Sequence, residues 1–260
     1  MINNKIKDIL TFSWDLYSKN ALQVTSLCLF VMMVSMACNL IGSNAINPMS
    51  IQSLVFNLSS RLFNIGLSLG LIHFILLLNN GVTSDIKTLF SSFDLIFRYF
   101  NASILMGLLT FLVLIPSLII FSMSCDISNL LFMLVNSLEL TPDNMNFNFS
   151  ILDTSDLVIH NNILFIFGII ITIINIAWIL VRFQFFQYII VDKKCGAIES
   201  LKLSYAITEN KLSALLQFAL IIVGINFLGL LLFGIGLFIT IPFSMIAMTQ
   251  LYLRLNKNSF

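Results

Sequence analysis

Long apolar segments separated by short polar ones dominate the hydropathy pattern of this chain. A helix that crosses the hydrocarbon core of a bilayer needs about 20 apolar residues, with about 17 as the lower limit. Six segments reach that length and contain no Asp, Glu, Lys or Arg: 21–41, 62–78, 102–124, 162–181, 213–233 and 236–252. The pattern predicts an all-α polytopic membrane protein, with residues 1–260 forming a single membrane domain and 125–161 an outer loop.

The last two spans share one almost continuous apolar block, residues 213–253. That block is too long for a single tilted helix. Gly234 and Gly236 offer a turn within it, because glycine adopts positive φ without a Cβ penalty. We therefore predict two helices joined by a short hairpin. The fourth span either continues past Arg182 as a helix or gives way to an interfacial belt, with Arg182 reaching toward the inner surface.

Composition supports a lipid environment. Hydrophobic residues are 58% of the chain and charged residues 10%, whereas a soluble domain carries roughly 25% charged residues. A soluble fold of this composition would leave large apolar patches in water. The net charge of +1 provides no basic field for nucleic acid, and we expect no such partner.

The basic residues segregate to one side of the predicted spans. Twelve of the 13 lie before the first span, between the second and third, between the fourth and fifth, or after the sixth; Arg61 is the exception. The loop 125–161 contains acidic residues and no Lys or Arg. By the positive-inside rule, we predict that both termini are cytoplasmic.

A short motif of leucine, serine and an aromatic residue precedes each pair of spans. It reads Leu10-x-x-Ser13-Trp14-x-Leu16, then Leu89-x-x-Ser92-Phe93-x-Leu95, then Leu201-x-x-Ser204-Tyr205-x-Ile207. Apolar residues recur at helical spacing around the first two motifs, and over 86–100 they predict a single amphipathic interfacial helix. We hypothesise a threefold repeat of interfacial helix and membrane hairpin. The alternative is that the three segments match by chance, since multispanning proteins have amphipathic lead-ins and so degenerate a pattern arises easily in a sequence rich in Leu and Ser.

The outer loop has two parts. Apolar residues at helical spacing over 127–138 predict a surface helix too short to span the membrane. The polar, Asn-rich stretch 141–161 is expected to be irregular. His160 has no second histidine nearby in sequence, and the four cysteines form no Cys-x-x-Cys pair, so we expect no metal site and no cofactor.

His73 is the first candidate functional residue. It shares one helical face with Gly66 and Gly70, whose spacing is typical of closely packed membrane helices. A histidine at such a position could bind a lipid headgroup or relay a proton. The alternative, which we favour, is a hydrogen bond from His73 to a neighbouring helix.

Five uncharged polar residues within or near the spans could line a path through the membrane: Asn64, Asn175, Asn226, Thr249 and Gln250. Arg182, at the end of the fourth span, is a further candidate polar residue. Polar groups of this kind more often bond across helices. A coupled ion pump generally needs an intramembrane carboxylate or lysine, and the six segments contain none. Membrane-embedded enzymes need clustered His, Asp or Glu at membrane depth, so we expect no enzymatic activity.

Two stretches near the end of the chain carry a family resemblance. They are Tyr188-Ile-Ile-Val-Asp192-Lys-Lys followed by Glu199-Ser-Leu-Lys-Leu-Ser204, and Gly234-Ile-Gly-Leu-Phe-Ile-Thr-Ile-Pro242 followed by Met245 to Tyr252. Together they resemble a group of uncharacterised bacterial six-span membrane proteins, which is similar to the membrane domain of glycerophosphoryl diester phosphodiesterases. The resemblance implies a multi-pass protein of the bacterial cytoplasmic (inner) membrane with no catalytic domain.

These observations favour a non-enzymatic membrane scaffold, or a lipid- or envelope-associated protein. Its partners would be membrane lipids and other membrane proteins. The alternative is a transporter or channel for a lipid or small solute, which repeated hairpins and helices kinked at proline would suit.

Overall fold

The six predicted spans correspond to long helices in the computed structural model of the protein. The structure describes residues 2–44, 51–82, 85–124, 138–141, 144–147, 161–232 and 234–257. Its helices are α1 (Ile2–Asn44), α2 (Ile51–Asn79), α3 (Ile96–Ser124), α4 (Asn162–Phe183), α5 (Phe186–Lys193), α6 (Ala197–Thr208), α7 (Leu212–Leu231) and α8 (Leu237–Asn256). Within these residues, six helical segments are long and apolar enough to cross a membrane, α4 and α5 together counting as one. The all-α, polytopic class is confirmed.

Helix α1 joins the first lead-in to the first span and bends at Asn20. This residue has φ −123° and ψ 20°, outside the helical region. Its side-chain amide donates to the Leu16 carbonyl at 3.0 Å, and a local bond of this kind competes with regular helical bonding. Before the bend, Ile6 and Ile9 are buried within the protein while Trp14 is half exposed.

The second lead-in differs from the single amphipathic helix that its spacing predicts. It forms two short 3-10 turns, Ile86–Phe90 and Phe93–Leu95. The hydroxyls of Thr88 and Ser91 donate to backbone carbonyls three residues earlier, at 2.6 and 2.8 Å. Such bonds favour tight turns over an α-helix. The turned backbone buries Leu89 completely, so this segment packs on protein through residues that were expected to face lipid.

The three motif serines share one environment. Ser13, Ser92 and Ser204 are all buried. The aromatic residue that follows is half exposed in the first and third copies, at 52% for Trp14 and 40% for Tyr205. The repeat stays a hypothesis: this shared burial supports it, while the 3-10 backbone of the second copy departs from the helices of the other two.

Helices α7 and α8 form the predicted hairpin. Gly234 in the turn has φ 77°, a conformation that favours glycine. The helices approach closely at a second glycine pair, because a Cβ on Gly236 would lie 2.6 Å from the Gly229 carbonyl oxygen. The division of the last apolar block is therefore confirmed. Of the two alternatives for the fourth span, the structure shows the helical continuation, through a turn at Gln184 and Phe185 into α5.

Part of the outer loop is a β-hairpin. Strands β1 (Leu138–Thr141) and β2 (Asn144–Phe147) pair antiparallel, with Leu138 opposite Phe147. The prediction of an irregular stretch from 141 onward is wrong for these residues, whose apolar and polar positions alternate with the period of a strand. The surface helix predicted over 127–138 lies outside the described residues, apart from Leu138 in β1, and so does His160.

The chain divides into two compact units. The first comprises Met1–Met36, Arg61–Leu105 and Val181–Phe260, and the second Ala37–Ser60 and Met106–Leu180. The first unit has two buried apolar clusters. One includes Phe185 and Tyr252, and the other includes Phe74. The outer surface of α7, which includes Leu220 and Phe227, is apolar and exposed. That surface suits lipid as its solvent.

Candidate functional site

His73 contacts the segment that connects α2 to α3. Its Nδ1 lies 2.9 Å from the Ser91 hydroxyl and 3.3 Å from the Ser92 hydroxyl. The Ser91 hydroxyl donates to the Thr88 carbonyl, so it accepts a hydrogen bond when Nδ1 carries a proton. His73 therefore bonds to a connecting segment of the first unit, where the structural interpretation predicted a neighbouring helix.

The two glycines on the His73 face contact the same segment. A Cβ on Gly66 would lie 2.9 Å from the Phe93 ring, and a Cβ on Gly70 would overlap the Leu89 backbone. The close packing expected of Gly66 and Gly70 is present. Its partner is a 3-10 turn and not a second spanning helix, which sequence spacing could not specify.

Charged groups surround His73 at the end of α2. Lys194, Asp94 and Asp192 are close enough to act on its imidazole electrostatically. Lys194 follows α5 in the left-handed conformation, with φ 50°, and its carbonyl accepts a hydrogen bond from the Arg98 guanidinium. The hydrogen bond between Arg98 and Lys194 connects the start of α3 to the end of α5.

Residues of the two family-like stretches meet in the core beside this site. The Tyr252 hydroxyl donates to the Asp192 carboxylate at 2.7 Å. The rings of Tyr188 and Tyr252 stack with centroids 5.8 Å apart. Both tyrosines are buried. No local sequence pattern identifies this cluster, and its visible signal in the sequence is the tyrosine and the aspartate of the first stretch.

Arg182 lies near the end of α4 and contacts α6. Its guanidinium carbon is 4.7 Å from the centroid of the Tyr205 ring, a cation–π geometry. Its backbone carbonyl accepts hydrogen bonds from the hydroxyls of Ser204 at 3.0 Å and Thr208 at 3.3 Å. Arg182 thus joins α6 to the fourth span through both its side chain and its backbone.

The two asparagines each bond to a neighbouring helix. The Asn226 amide donates to the Ser244 hydroxyl at 3.0 Å, between α7 and α8. The Asn175 amide donates to the Val113 carbonyl at 3.1 Å, between α4 and α3 in the second unit. In the first unit, the Ser35 hydroxyl donates to the Asn64 carbonyl oxygen at 2.7 Å. No bond found among the described residues links two of the four candidates.

Titratable groups next to the site show no metal-binding arrangement. Over the ranges that the structure describes, no three His, Cys, Asp or Glu side chains are grouped to hold a metal ion. Cys195, between α5 and α6, is a free thiol. Burial and the Glu199 carboxylate raise the pKa of Cys195, with Lys193 and Arg98 opposing that shift. A raised pKa leaves this thiol a weak nucleophile at neutral pH.

Comparison with known proteins places the chain in a family without an assigned activity. No curated protein and no solved structure matches it. A family model matches residues 2–259, nearly the whole chain. The chain therefore belongs to the family described as "Protein of unknown function (DUF975)".

Proposed function

We propose that this protein is a non-enzymatic scaffold of the bacterial cytoplasmic membrane that organises lipids or partner proteins on its cytoplasmic side. The observation that supports the proposal most directly is the set of contacts formed by the four candidate residues. The polar groups of His73, Asn175, Asn226 and Arg182 contact other helices or connecting segments. Polar side chains used in this way hold a bundle together.

The distribution of charge gives the proposed orientation. Basic residues gather in the first half of α1, around the 3-10 turns, between the end of α4 and the start of α7, and at the end of α8. Each Lys or Arg near an anionic membrane surface contributes about 1 kcal/mol of attraction. Both termini would then be cytoplasmic. The resemblance to the membrane domain of glycerophosphoryl diester phosphodiesterases adds an analogy to lipid association, resting on the two motif stretches alone.

Native mass spectrometry of the protein in nanodiscs of native lipid tests this function. A retained phospholipid or a second polypeptide is the expected result. A retained small solute would instead favour the transporter or channel.

Replacing His73 by Leu separates a structural from a ligand-binding role. We expect the loss of the Ser91 and Ser92 contacts to lower the free energy of unfolding by about 0.6–1.7 kcal/mol, the range for hydrogen bonds between membrane helices. Thermal unfolding in detergent measures this loss. Ser68→Ala is the control, because the Ser68 hydroxyl is exposed and bonds only within α2. A His73→Leu protein that unfolds normally but loses its retained ligand would contradict the structural role.

A further inference from the structure

A groove in the first unit lies between the first half of α1 and the α7–α8 hairpin. Its volume is about 430 Å³, within the range of roughly 300–1,000 Å³ that is typical of small-molecule sites. Its walls are largely apolar and include Leu10, Ile225, Ile239 and Phe243. The apolar part of a ligand would bury its surface against these side chains.

The groove wall contains a carboxylate. Among the described residues that line the groove, Asp15 is the only charged one. Its backbone carbonyl accepts a hydrogen bond from the Ser18 hydroxyl, while within the described ranges its carboxylate has no hydrogen-bond or ion-pair partner. A carboxylate attracts a cation, and a cation with N–H groups also donates charge-assisted hydrogen bonds to it. The charge in the groove therefore favours an ammonium group.

Two aromatic rings line the same groove. The rings of Trp14 and Phe243 meet at 67° with centroids 5.9 Å apart. The Trp14 side chain is 52% exposed, so part of its indole surface is open to a ligand. The negative face of an indole ring attracts a cation, and aromatic walls are a common means of binding ammonium ligands. The indole of Trp14 and the carboxylate of Asp15 thus favour the same chemical group.

The surrounding membrane supplies molecules that join an apolar chain to an ammonium group. In a polytopic membrane protein, an exposed tryptophan is typical of the polar boundary of the bilayer, where lipid headgroups lie. A primary ammonium, as in phosphatidylethanolamine, has three N–H donors, whereas the trimethylammonium of phosphatidylcholine has none. The Asp15 carboxylate therefore distinguishes these two heads, and it repels an anionic head such as that of phosphatidylglycerol.

We propose that the groove binds an aminophospholipid of the surrounding bilayer, with its primary ammonium against the Asp15 carboxylate and the Trp14 ring. One acyl chain lies along Leu10, Ile225 and Phe243. Asp15 is exposed, so the phosphate next to the ammonium stays in contact with water. This inference rests on the proposed function, since it names the lipid that a membrane scaffold would bind and the place where it binds.

Quenching of Trp14 fluorescence by brominated lipids tests the site in the full-length protein. The chain has two tryptophans, so Trp178→Phe leaves Trp14 as the only reporter. Vesicles of phosphatidylcholine contain a small fraction of phosphatidylethanolamine, phosphatidylcholine or phosphatidylglycerol, brominated at the same acyl position. We expect phosphatidylethanolamine to quench with roughly fivefold higher affinity than phosphatidylcholine, the contribution of about one hydrogen bond, and phosphatidylglycerol to quench least. A Trp14→Phe protein, reporting from Trp178, gives the baseline without preference.

Matched variants of two aspartates locate the ammonium. Asp15→Asn should lower the preference for phosphatidylethanolamine over phosphatidylcholine to about twofold or less, because a neutral acceptor forms a hydrogen bond roughly half as strong. Asp8→Asn, exposed on the same helix but outside the groove, should leave the preference unchanged. Both substitutions remove one negative charge from α1, so the difference between them does not come from net charge.

A second pair of variants locates the acyl chain. Thr11→Phe fills the groove and should abolish the preference, while Ser18→Phe, on the same helix but outside the groove, should not. Both hydroxyls bond only to carbonyls of α1, so neither substitution removes a hydrogen bond to another element. Equal quenching by phosphatidylethanolamine and phosphatidylcholine, strongest quenching by phosphatidylglycerol, or a full preference that survives Asp15→Asn or Thr11→Phe would overturn the proposal.

The two proposals fail separately. If native mass spectrometry finds a small solute while Trp14 keeps its phosphatidylethanolamine preference, the scaffold function is wrong and the groove assignment stands. If a lipid or polypeptide is retained and Trp14 shows no preference, the groove assignment is wrong and the scaffold function stands.

Discussion

Among the described glycines, Gly70 has the least room for a side chain. A Cβ at this position would overlap the backbone of Leu89, and a backbone cannot rotate away as a flexible side chain can. The same turn places Ser91 and Ser92 against His73. The close approach at Gly70 therefore sets the geometry of the candidate site.

We predict that Gly70→Ala lowers the free energy of unfolding by about 1–3 kcal/mol or more, because α2 and the 3-10 turn must separate. Thermal unfolding in detergent, followed by fluorescence-detected size-exclusion chromatography, measures the change. The matched control is Gly107→Ala in α3, where an added Cβ meets no atom within 4 Å. That variant should be neutral, or more stable by up to about 1 kcal/mol from its higher helix propensity. Equal melting of both variants would refute the close contact.

At the scale of single residues, the sequence predicted which residues pack closely, but it did not predict the segments that they contact. The spacing of Gly66, Gly70 and His73 indicated a packed face, and their bonds and contacts show one. Their partner was not predictable, because helical periodicity reports the face of one element and contains nothing about the segment that covers it. Asp192 and Tyr252 are 60 residues apart, so no local sequence pattern predicts their hydrogen bond.

At the scale of elements, the connection between α5 and α6 controls the chemistry of Cys195. Glu199 in the first turn of α6 places a carboxylate near this thiol. A carboxylate disfavours the thiolate, as burial does, so both raise the pKa of Cys195.

We predict that Glu199→Gln speeds alkylation of Cys195, since removing the carboxylate lowers the pKa of the thiol and increases the thiolate fraction. At pH 7.5 the rate should rise roughly two- to fivefold, because the thiolate fraction changes tenfold per pKa unit below the pKa. Iodoacetamide labelling measures the rate in a protein whose other three cysteines are Ala. Glu209→Gln, at the far end of α6, is the control and should label at the unchanged rate. Slower alkylation of the Glu199→Gln protein would mean that the carboxylate does not raise the pKa of Cys195.

The lead-in elements show where periodicity fails. Apolar spacing predicted an α-helix over 86–100, yet the segment turns twice before α3 begins. The hydroxyls of Thr88 and Ser91 bond to backbone carbonyls three residues earlier, and Leu89 within the first 3-10 turn is fully buried. The order of apolar and polar residues determines which side chains favour an apolar environment. A short segment can bury the same side chains with more than one backbone conformation.

At the scale of the whole molecule, the segregation of basic residues predicts orientation. We expect a reporter that is active only in the cytoplasm, fused after Phe260, to be active. A reporter that is active only outside should be silent at the same site and active when inserted in the loop 125–161. Fusion activity in cells measures both. An active external reporter after Phe260 would mean that the number of spans is odd or that the orientation is reversed.

The sequence by itself determined that the protein inhabits a membrane and how often it crosses. Transfer of each residue to lipid contributes nearly independently, so a window of about 20 residues holds enough information to identify a span. Gly234 separates α7 from α8 for an equally local reason, its tolerance of positive φ.

Only the tertiary structure decided which polar groups and which rings come into contact. Asn226 and Ser244, or Trp14 and Phe243, come together because the chain folds back on itself. Burying a polar group in an apolar interior is costly without a partner, so each such residue must find one. Which partner it finds depends on the packing of segments far apart in sequence, which no local pattern encodes.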